Sequence, residues 1–261
     1  MIDLHSHVLP GIDDGPADAE ASSALLGAMA AAGMRRVIAT PHVSEEYANT
    51  PETIAAALAV AAPLAAAAGV ELDTGAEVTI EQAAALDDES LSRLRLGGGP
   101  WLLVECPLSP AAADFDRALA GLRARGFRLV LAHPERSPAL QRDPGRVLDY
   151  VVAGDLTAVT AGAMEGRFGR TARGMCVHLF LQGLVHAVTS DAHDLRGRPP
   201  GLLEGFAALE AELPGIAEHA DWHTDGVPAA ILAGTPLPPP PPVLERAEAP
   251  RRRRRLFGRG R

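Results

Sequence analysis

Residues 1–7 read Met1-Ile2-Asp3-Leu4-His5-Ser6-His7. The run is short and strand-like, and it ends in an H-x-H pair. Alternate side chains of a strand share a face, so both imidazoles can point at one ion. Six further apolar runs follow it, and strands are expected at residues 2–5, 36–40, 70–75, 101–105, 128–132, 157–160 and 186–190. They are rich in Val, Leu and Ile, as parallel strands buried on both faces are. Nearly all carry a metal-type side chain at the same end. His5 and His7 end the first, His42 follows the second and Glu77 the third. Glu105 ends the fourth, His133 follows the fifth, and Asp191 and His193 follow the seventh. Asp14, in the turn Asp13-Asp14-Gly15, completes a set of nine.

Helices are expected between the strands, at residues 19–32, 53–68, 110–125, 144–153, 168–182 and 200–212. Gly33, Gly69, Gly126, Gly154 and Gly183 stand where C-caps belong, and Pro63 is expected to kink the second helix. Such alternation predicts a parallel α/β barrel or a doubly wound sheet. Candidate ligands from six of seven strands must converge. A closed barrel brings all its C-terminal strand ends to one rim, so the barrel is preferred. Residues 1–235 form the expected domain. The Pro-rich stretch 235–242 should be extended, and the Arg-rich end should be a flexible tail, giving 236–261 as an appendage.

Composition narrows the chemistry. Apolar residues make up 47% of the 261 and aromatics only 4%, so the core should be aliphatic. All 24 basic residues are Arg, which removes Schiff-base, P-loop and carbamylated-lysine mechanisms. The net charge is −9, although residues 243–261 hold eight Arg against two Glu. The acidic remainder argues against general nucleic-acid binding, which needs a basic face. Cys106 and Cys176 make no disulfide framework. Neither opens a C-x5-R phosphatase motif, because Ala112 and Gln182 stand at the arginine position. The N-terminus lacks the character of a signal peptide, and no apolar run approaches the ~18 residues of a membrane span. A cytoplasmic location is expected.

Taken singly, the nine are weak signals. An H-x-H pair arises by chance, Asp13-Asp14-Gly15 reads as an ordinary turn, and His42 after Pro41 reads as a loop histidine. Glu105 and Asp191 are harder to dismiss, because a carboxylate at the end of an apolar strand needs a partner. Jointly, six strand ends bearing His, Asp or Glu on the same side point to a shared metal centre. His178, His186, His219 and His223 fit no strand end and read as structural. Arg136 and Arg198 lie beside the candidate ligands. Their forked donors match phosphate oxygens, the alternative being ion pairing at the surface.

Seven motifs stand in order over residues 1–235. After the opening run come Asp13-Asp14-Gly15-Pro16, Ala39-Thr40-Pro41-His42, Gly75-Ala76-Glu77 and Leu103-Val104-Glu105. Ala132-His133-Pro134-Glu135-Arg136 and Ser190-Asp191-Ala192-His193 complete the series. Together they resemble the bacterial protein-tyrosine phosphatases of the polymerase and histidinol phosphatase (PHP) superfamily, found with capsule and exopolysaccharide loci. The resemblance implies a distorted (β/α)7 TIM-like barrel with its metal site at the C-terminal strand ends. It implies three divalent ions, Mn2+ first, with Zn2+, Fe2+ or Mg2+ as alternatives. One would take His5, His7, Glu77 and Asp191, a second Glu77, Glu105 and His133, and a third Asp14, His42 and His193. Arg136 and Arg198 would bind the phosphate and stabilise the transition state. The implied substrate is the tyrosine-rich tail of an autophosphorylated bacterial tyrosine kinase that controls polysaccharide chain length. Two departures stand out: Val159-Thr160-Ala161-Gly162-Ala163, where relatives often carry Ser or Asn, and Cys106 in place of a common aromatic.

Two rival functions remain. One is a small-molecule phosphatase such as histidinol-phosphate phosphatase, against which Asp14 and the Glu135-Arg136 pair speak. The other is a non-catalytic module that binds the kinase, against which the full set of nine speaks. The five consecutive arginines at 251–255, next to Leu256 and Phe257, read either as a weak tether to anionic membrane or as a solvated tail.

Overall fold

Strand formation follows the apolar runs closely. The computed structural model describes residues 1–109 and 114–247. Its strands are β1 Ile2–Ser6, β2 Arg36–Ala39, β3 His42–Val43, β4 Glu71–Thr74 and β5 Glu77–Val78, followed by β6 Trp101–Glu105, β7 Arg128–Ala132, β8 Leu156–Thr160 and β9 Ala187–Thr189. All pairings between them are parallel. The strands lie in a three-stranded sheet, β1-β2-β4, and a six-stranded sheet, β3-β5-β6-β7-β8-β9. The fold is mixed α/β with parallel sheets.

The division into two sheets comes from two interruptions. Thr40-Pro41 separates β2 from β3, and Gly75-Ala76 separates β4 from β5. Proline has no N–H to give a ladder. At Gly75 a Cβ would come within 3.1 Å of the Leu96 Cα, so a larger residue would push these backbones apart by a few tenths of an ångström. Beyond each break the chain resumes pairing, with His42 opposite Glu77. At the far side of the sheets, His7 N–H donates to the Ala192 carbonyl at 2.8 Å and Asp191 N–H to the His5 carbonyl at 2.9 Å. These bonds bring the end of β1 against the segment that follows β9.

The core has two parts, divided by the period-two alternation of the strands. Leu102, Val104, Leu129, Leu131, Val159 and Val188 face the larger cluster, which the helices cover. Trp101, Leu103, Val130, Ala132, Leu156, Ala158 and Ala187 face the smaller one, together with Ile2, Leu4 and Ile38. Val227, Ile231 and Leu232, from the late helix Val227–Ala233, complete the smaller cluster.

Helix α1, Ala19–Ala31, is capped by Asp18, whose side chain accepts from Ala21 N–H. Helix α2, Pro51–Ala68, begins with a Thr50/Thr53 capping box and ends at Gly69 in the left-handed conformation. It runs unbroken through Pro63. Pro63 and Ala59 are exposed, so water can solvate the carbonyl that loses its partner. With 18 residues and a mean hydropathy of 1.5, α2 is long and apolar enough to span a membrane. That corrects the expectation that no such run exists. It packs on α1 through one face, burying Ile54, Ala57, Ala61 and Ala65. The expected helix at 110–125 is seen as Phe115–Ala124, residues 110–113 lying outside the described residues.

Part of the expected tail lies along the body. Trp222 Nε1–H donates to the Pro238 carbonyl at 3.3 Å. Arg246 pairs with Glu212, and Ala247 N–H donates to the Glu212 carbonyl. The arginine run at 251–255, read either as a tether or as a solvated tail, lies outside the described residues.

Candidate metal centre

The C-terminal ends of the strands bring together all nine candidate ligands. His5 and His7 are fully buried. His5 Nδ1 lies 2.7 Å from Thr40 Oγ1, and His7 Nδ1 lies 2.8 Å from Asp13 Oδ2. These contacts fix both rings and turn each Nε2 inward. His5 Nε2 is 3.2 Å from Asp191 Oδ1 and 3.6 Å from Glu77 Oε1. His7 Nε2 is 3.4 Å from Glu77 Oε2 and 3.5 Å from Asp191 Oδ1.

Four buried atoms that face one another, His5 Nε2, His7 Nε2, Glu77 Oε2 and Asp191 Oδ1, have no hydrogen-bond partner. Leaving such groups unsatisfied costs about 1–3 kcal/mol each, more when charged. A cation among them satisfies all four, and imidazole nitrogens with carboxylate oxygens are suitable donors for divalent transition ions. The residues present therefore fit a metal.

The remaining candidates surround these four. His133 Nε2 is 2.6 Å from Glu77 Oε1. His42 Nδ1 lies 3.1 Å from Glu77 Oε2. Asp14 Oδ1 lies 3.0 Å from His193 Nε2 and 3.4 Å from His42 Nε2. Four groups have ligand atoms mutually within 4.8 Å: His7, Asp14, His42 and His193; His5, Glu77 and His133; His5, His7 and Asp191; His42, Glu77 and Glu105. The implied third set thus appears with His7 added. Glu105 groups with His42 and Glu77 rather than with His133.

Two backbones here are unusual. His133 has φ 36° and Asp191 φ 52°, the left-handed region that costs a residue with a Cβ free energy. They are the only non-glycine residues with positive φ among the described residues. Both are held by neighbouring strands, through His133 N–H to the Ala158 carbonyl and Asp191 N–H to the His5 carbonyl.

The arginines reach the same place. Arg136 Nη1 and Arg198 Nη2 each donate to Asp191 Oδ2 at 2.6 Å. Arg198 Nη1 also donates to His193 Nε2 at 2.7 Å, and its Nε has no partner. Arg136 lies 4.3 Å over the Phe168 ring.

Electrostatics show how strongly this site attracts positive charge. Burial opposes charge on His7, yet its hydrogen bond to Asp13 and the nearby Glu77 carboxylate raise it to about 10. Burial alone would raise the Glu77 carboxyl, but the charges of His5 and His133 hold it well below the usual range. Asp191 is held down in the same way against its burial, by the adjacent His5 imidazole and by the Arg198 charge. Glu105 goes the other way. Burial first, and then the charges of Glu77 and Asp191, push it up to about 8. His133 falls to about 4 through burial and the Arg136 charge.

Sequence reasoning missed Thr40 and Asp13, which orient the two leading imidazoles, and the buried Glu135, whose Oε1 accepts from Thr160 N–H at 2.9 Å. The need of a ligating imidazole for a partner on its other nitrogen was a usable signal for Asp13. Both cysteine thiols are buried and pushed well above their ordinary range by burial, which disfavours the thiolate. Beside the cluster opens a cavity of about 740 Å³, with Asp14, His42 and Glu105 in its lining.

Known proteins share this arrangement of sequence and fold. The chain is 29% identical over 215 residues to the tyrosine-protein phosphatase YwqE of Bacillus subtilis, covering 81% of this chain and 85% of that protein. It is 29% identical over 220 residues to the tyrosine-protein phosphatase CpsB of Streptococcus pneumoniae, covering 79% and 88%. A solved structure from the work on YwqE and CpsB, described as unique metal-dependent tyrosine phosphatases, superposes with a TM-score of 0.76 at 28% identity. That superposition covers 93% of this chain and 99% of the solved one. Residues 1–215 match the family profile described as capsular polysaccharide synthesis, CpsB/CapC, and the chain belongs to that family.

Proposed function

We propose that the protein is a metal-dependent protein-tyrosine phosphatase acting on the tyrosine-rich tail of a bacterial kinase of capsule or exopolysaccharide synthesis. The observation that carries this reading is the set of four unpartnered buried atoms beneath two arginines that share Asp191. His5, His7, Asp14, His42, Glu77, Glu105, His133, Asp191 and His193 would hold three divalent ions, Mn2+ first. Bound there, divalent ions supply Lewis-acid charge to the phosphoryl oxygens and an acidic water at neutral pH. The names of the relatives support the substrate class.

The chain's own residues do the rest. Arg136 and Arg198 share Asp191, which holds both forks in place, and their remaining N–H groups grip phosphoryl oxygens as negative charge develops there. Thr40 and Asp13 keep the imidazoles of His5 and His7 turned inward. The tyrosyl leaving group has a pKa near ~10, so phenolate departure needs little help from a general acid. We further read the two sheets as one distorted (β/α)7 barrel, closed where His5 and His7 meet Asp191 and Ala192. Residues 1–235 would be the catalytic unit and 236–261 its extension, on the cytoplasmic side of the membrane.

The test is turnover of a phosphotyrosine peptide against histidinol phosphate, with and without added Mn2+. The expected result is Mn2+-dependent release of phosphate from the peptide, abolished by chelators and indifferent to iodoacetamide. Preference for histidinol phosphate would assign the site to a small-molecule phosphatase. A protein that holds no metal and releases no phosphate would be a binding module.

A further inference from the structure

We infer that the outer wall of the cavity beside the cluster, built by Glu45, Glu46 and Glu81, selects phosphotyrosines flanked by basic residues. This rests on the phosphotyrosine reading above and names the kind of sequence that the site prefers. The cavity has two zones. Its inner end is Asp14, His42 and Glu105, three of the candidate ligands. Buried Glu77 lies there too, its unpartnered Oε2 3.1 Å from His42 Nδ1. The outer end carries the three exposed glutamates, with no arginine in the lining. Tyr47 lines it as well, stacked on His42 at 5.6 Å between ring centroids.

A ligand matched to this arrangement is dipolar. Its phosphate belongs at the inner end, where cations held by the candidate ligands would gather positive charge and where Arg198 Nη1, outside the lining, lies 3.4 Å from Asp14 Oδ2. Its cationic groups belong outside, against the carboxylates. At about 740 Å³ the cavity can hold more than a phenyl phosphate, since ligand pockets run from about 300 to 1,000 Å³. Neighbouring residues of an extended peptide advance only ~3.3 Å each, so those next to the phosphotyrosine stay within a Debye length of the wall. Exposed ion pairs contribute little singly, but three carboxylates on one rim act on the same ligand. Arginine or lysine beside the phosphotyrosine is attracted, and aspartate or glutamate is repelled.

The experiment uses the full chain with Mn2+ and three phosphotyrosine peptides that differ only in basic, neutral or acidic neighbours. The expected kcat/KM for the basic peptide exceeds that for the acidic one about fivefold or more at low salt, and the ratio shrinks in 0.5 M salt. In Glu45→Gln/Glu46→Gln/Glu81→Gln the ratio should fall towards one, with p-nitrophenyl phosphate turnover unchanged. The same peptides carrying a non-hydrolysable phosphonate report Kd ratios without turnover. If the enzyme hydrolyses none of the peptides yet binds the basic phosphonate preferentially, the phosphatase reading fails and the charge preference stands. A ratio near one, an acidic preference, or a ratio that survives the triple substitution overturns the inference.

Discussion

Buried histidines occur at two places in this molecule, and their company differs. At the C-terminal strand ends, His5, His7 and His133 are buried among Glu77, Asp191 and Asp13, with ring nitrogens that have no hydrogen-bond partner. Elsewhere, His186 and His223 are also buried, but their neighbours are rings and backbone. His223 packs against Phe180, Phe206 and Trp222, and its Nδ1 faces the His186 carbonyl at 3.3 Å. His186 Nδ1 is bonded to Thr157. Burial pushes His186 down to about 4 and His223 to about 3, whereas carboxylates hold His7 up against the same force. Burial of an imidazole is therefore no sign of function. Carboxylates and unsatisfied nitrogens around it are.

The sharpest way to break this contrast is at Glu77, which lies within 3.6 Å of four of the imidazoles. Glu77→Gln should lower kcat by roughly 10³-fold, the upper range for removing one preorganised electrostatic group, and reduce bound metal measured by elemental analysis. A folded variant with wild-type turnover would remove Glu77 from the site. Arg198→Ala should cost roughly 10²-fold in kcat/KM, with a raised KM for phosphopeptide, while metal content stays unchanged. Equal loss of metal would recast Arg198 as a brace for Asp191.

Smaller in effect, Asp13→Ala releases the His7 ring without removing a candidate ligand. Metal affinity should weaken about 10–100-fold, and unchanged affinity would show that packing alone fixes the ring. The second group of histidines should affect only stability. His186 and His223 have folded values below the ordinary 6.5, so the unfolded chain binds more protons as pH falls below that value. Their stabilisation is full above pH 6.5 and is lost from there down towards 4, by about 1.4 kcal/mol per pH unit for each proton. His223→Gln should flatten the acid limb of a denaturation series and leave phosphatase activity at pH 7 unaltered. A loss of turnover in a folded His223→Gln would erase the distinction between the two places.

Much of this was legible in the chain itself. Strands β6 and β7 coincide with their apolar runs, residues 101–105 and 128–132, because a strand buried on both faces is a local compositional signal. The separation of Val227–Ala233 from any strand hid its role, since only tertiary contact with Ile2 and Leu4 explains why Val227 and Ile231 are buried. The breaks at Thr40-Pro41 and Gly75-Ala76 were invisible as breaks, so His42 and Glu77 looked like loop residues when each opens a short strand. Asp13 lay in plain view beside Asp14. Choosing between them needed the position of His7, a contact that spacing does not fix. The continuity of α2 through Pro63 depended on which side faces water, again a tertiary fact.

The pairing of β1 with the segment after β9 has a consequence for synthesis. Asp3 accepts hydrogen bonds from Ser190, 187 residues later in the chain. At a translation rate of about 5–20 residues per second, the first strand has β2 on one side early but waits roughly 10–40 s for the segment that covers its other side. Through that interval His5 and His7 are tethered to a growing chain without Asp191, and the apolar side chains of Ile2 and Leu4 lack Val227 and Ile231. Ribosome-bound chains of increasing length should therefore gain protease resistance late and in one step, once residues beyond 233 have emerged. Resistance gained before residue 190 is made would mean that β1 and β2 hold together without the segment after β9.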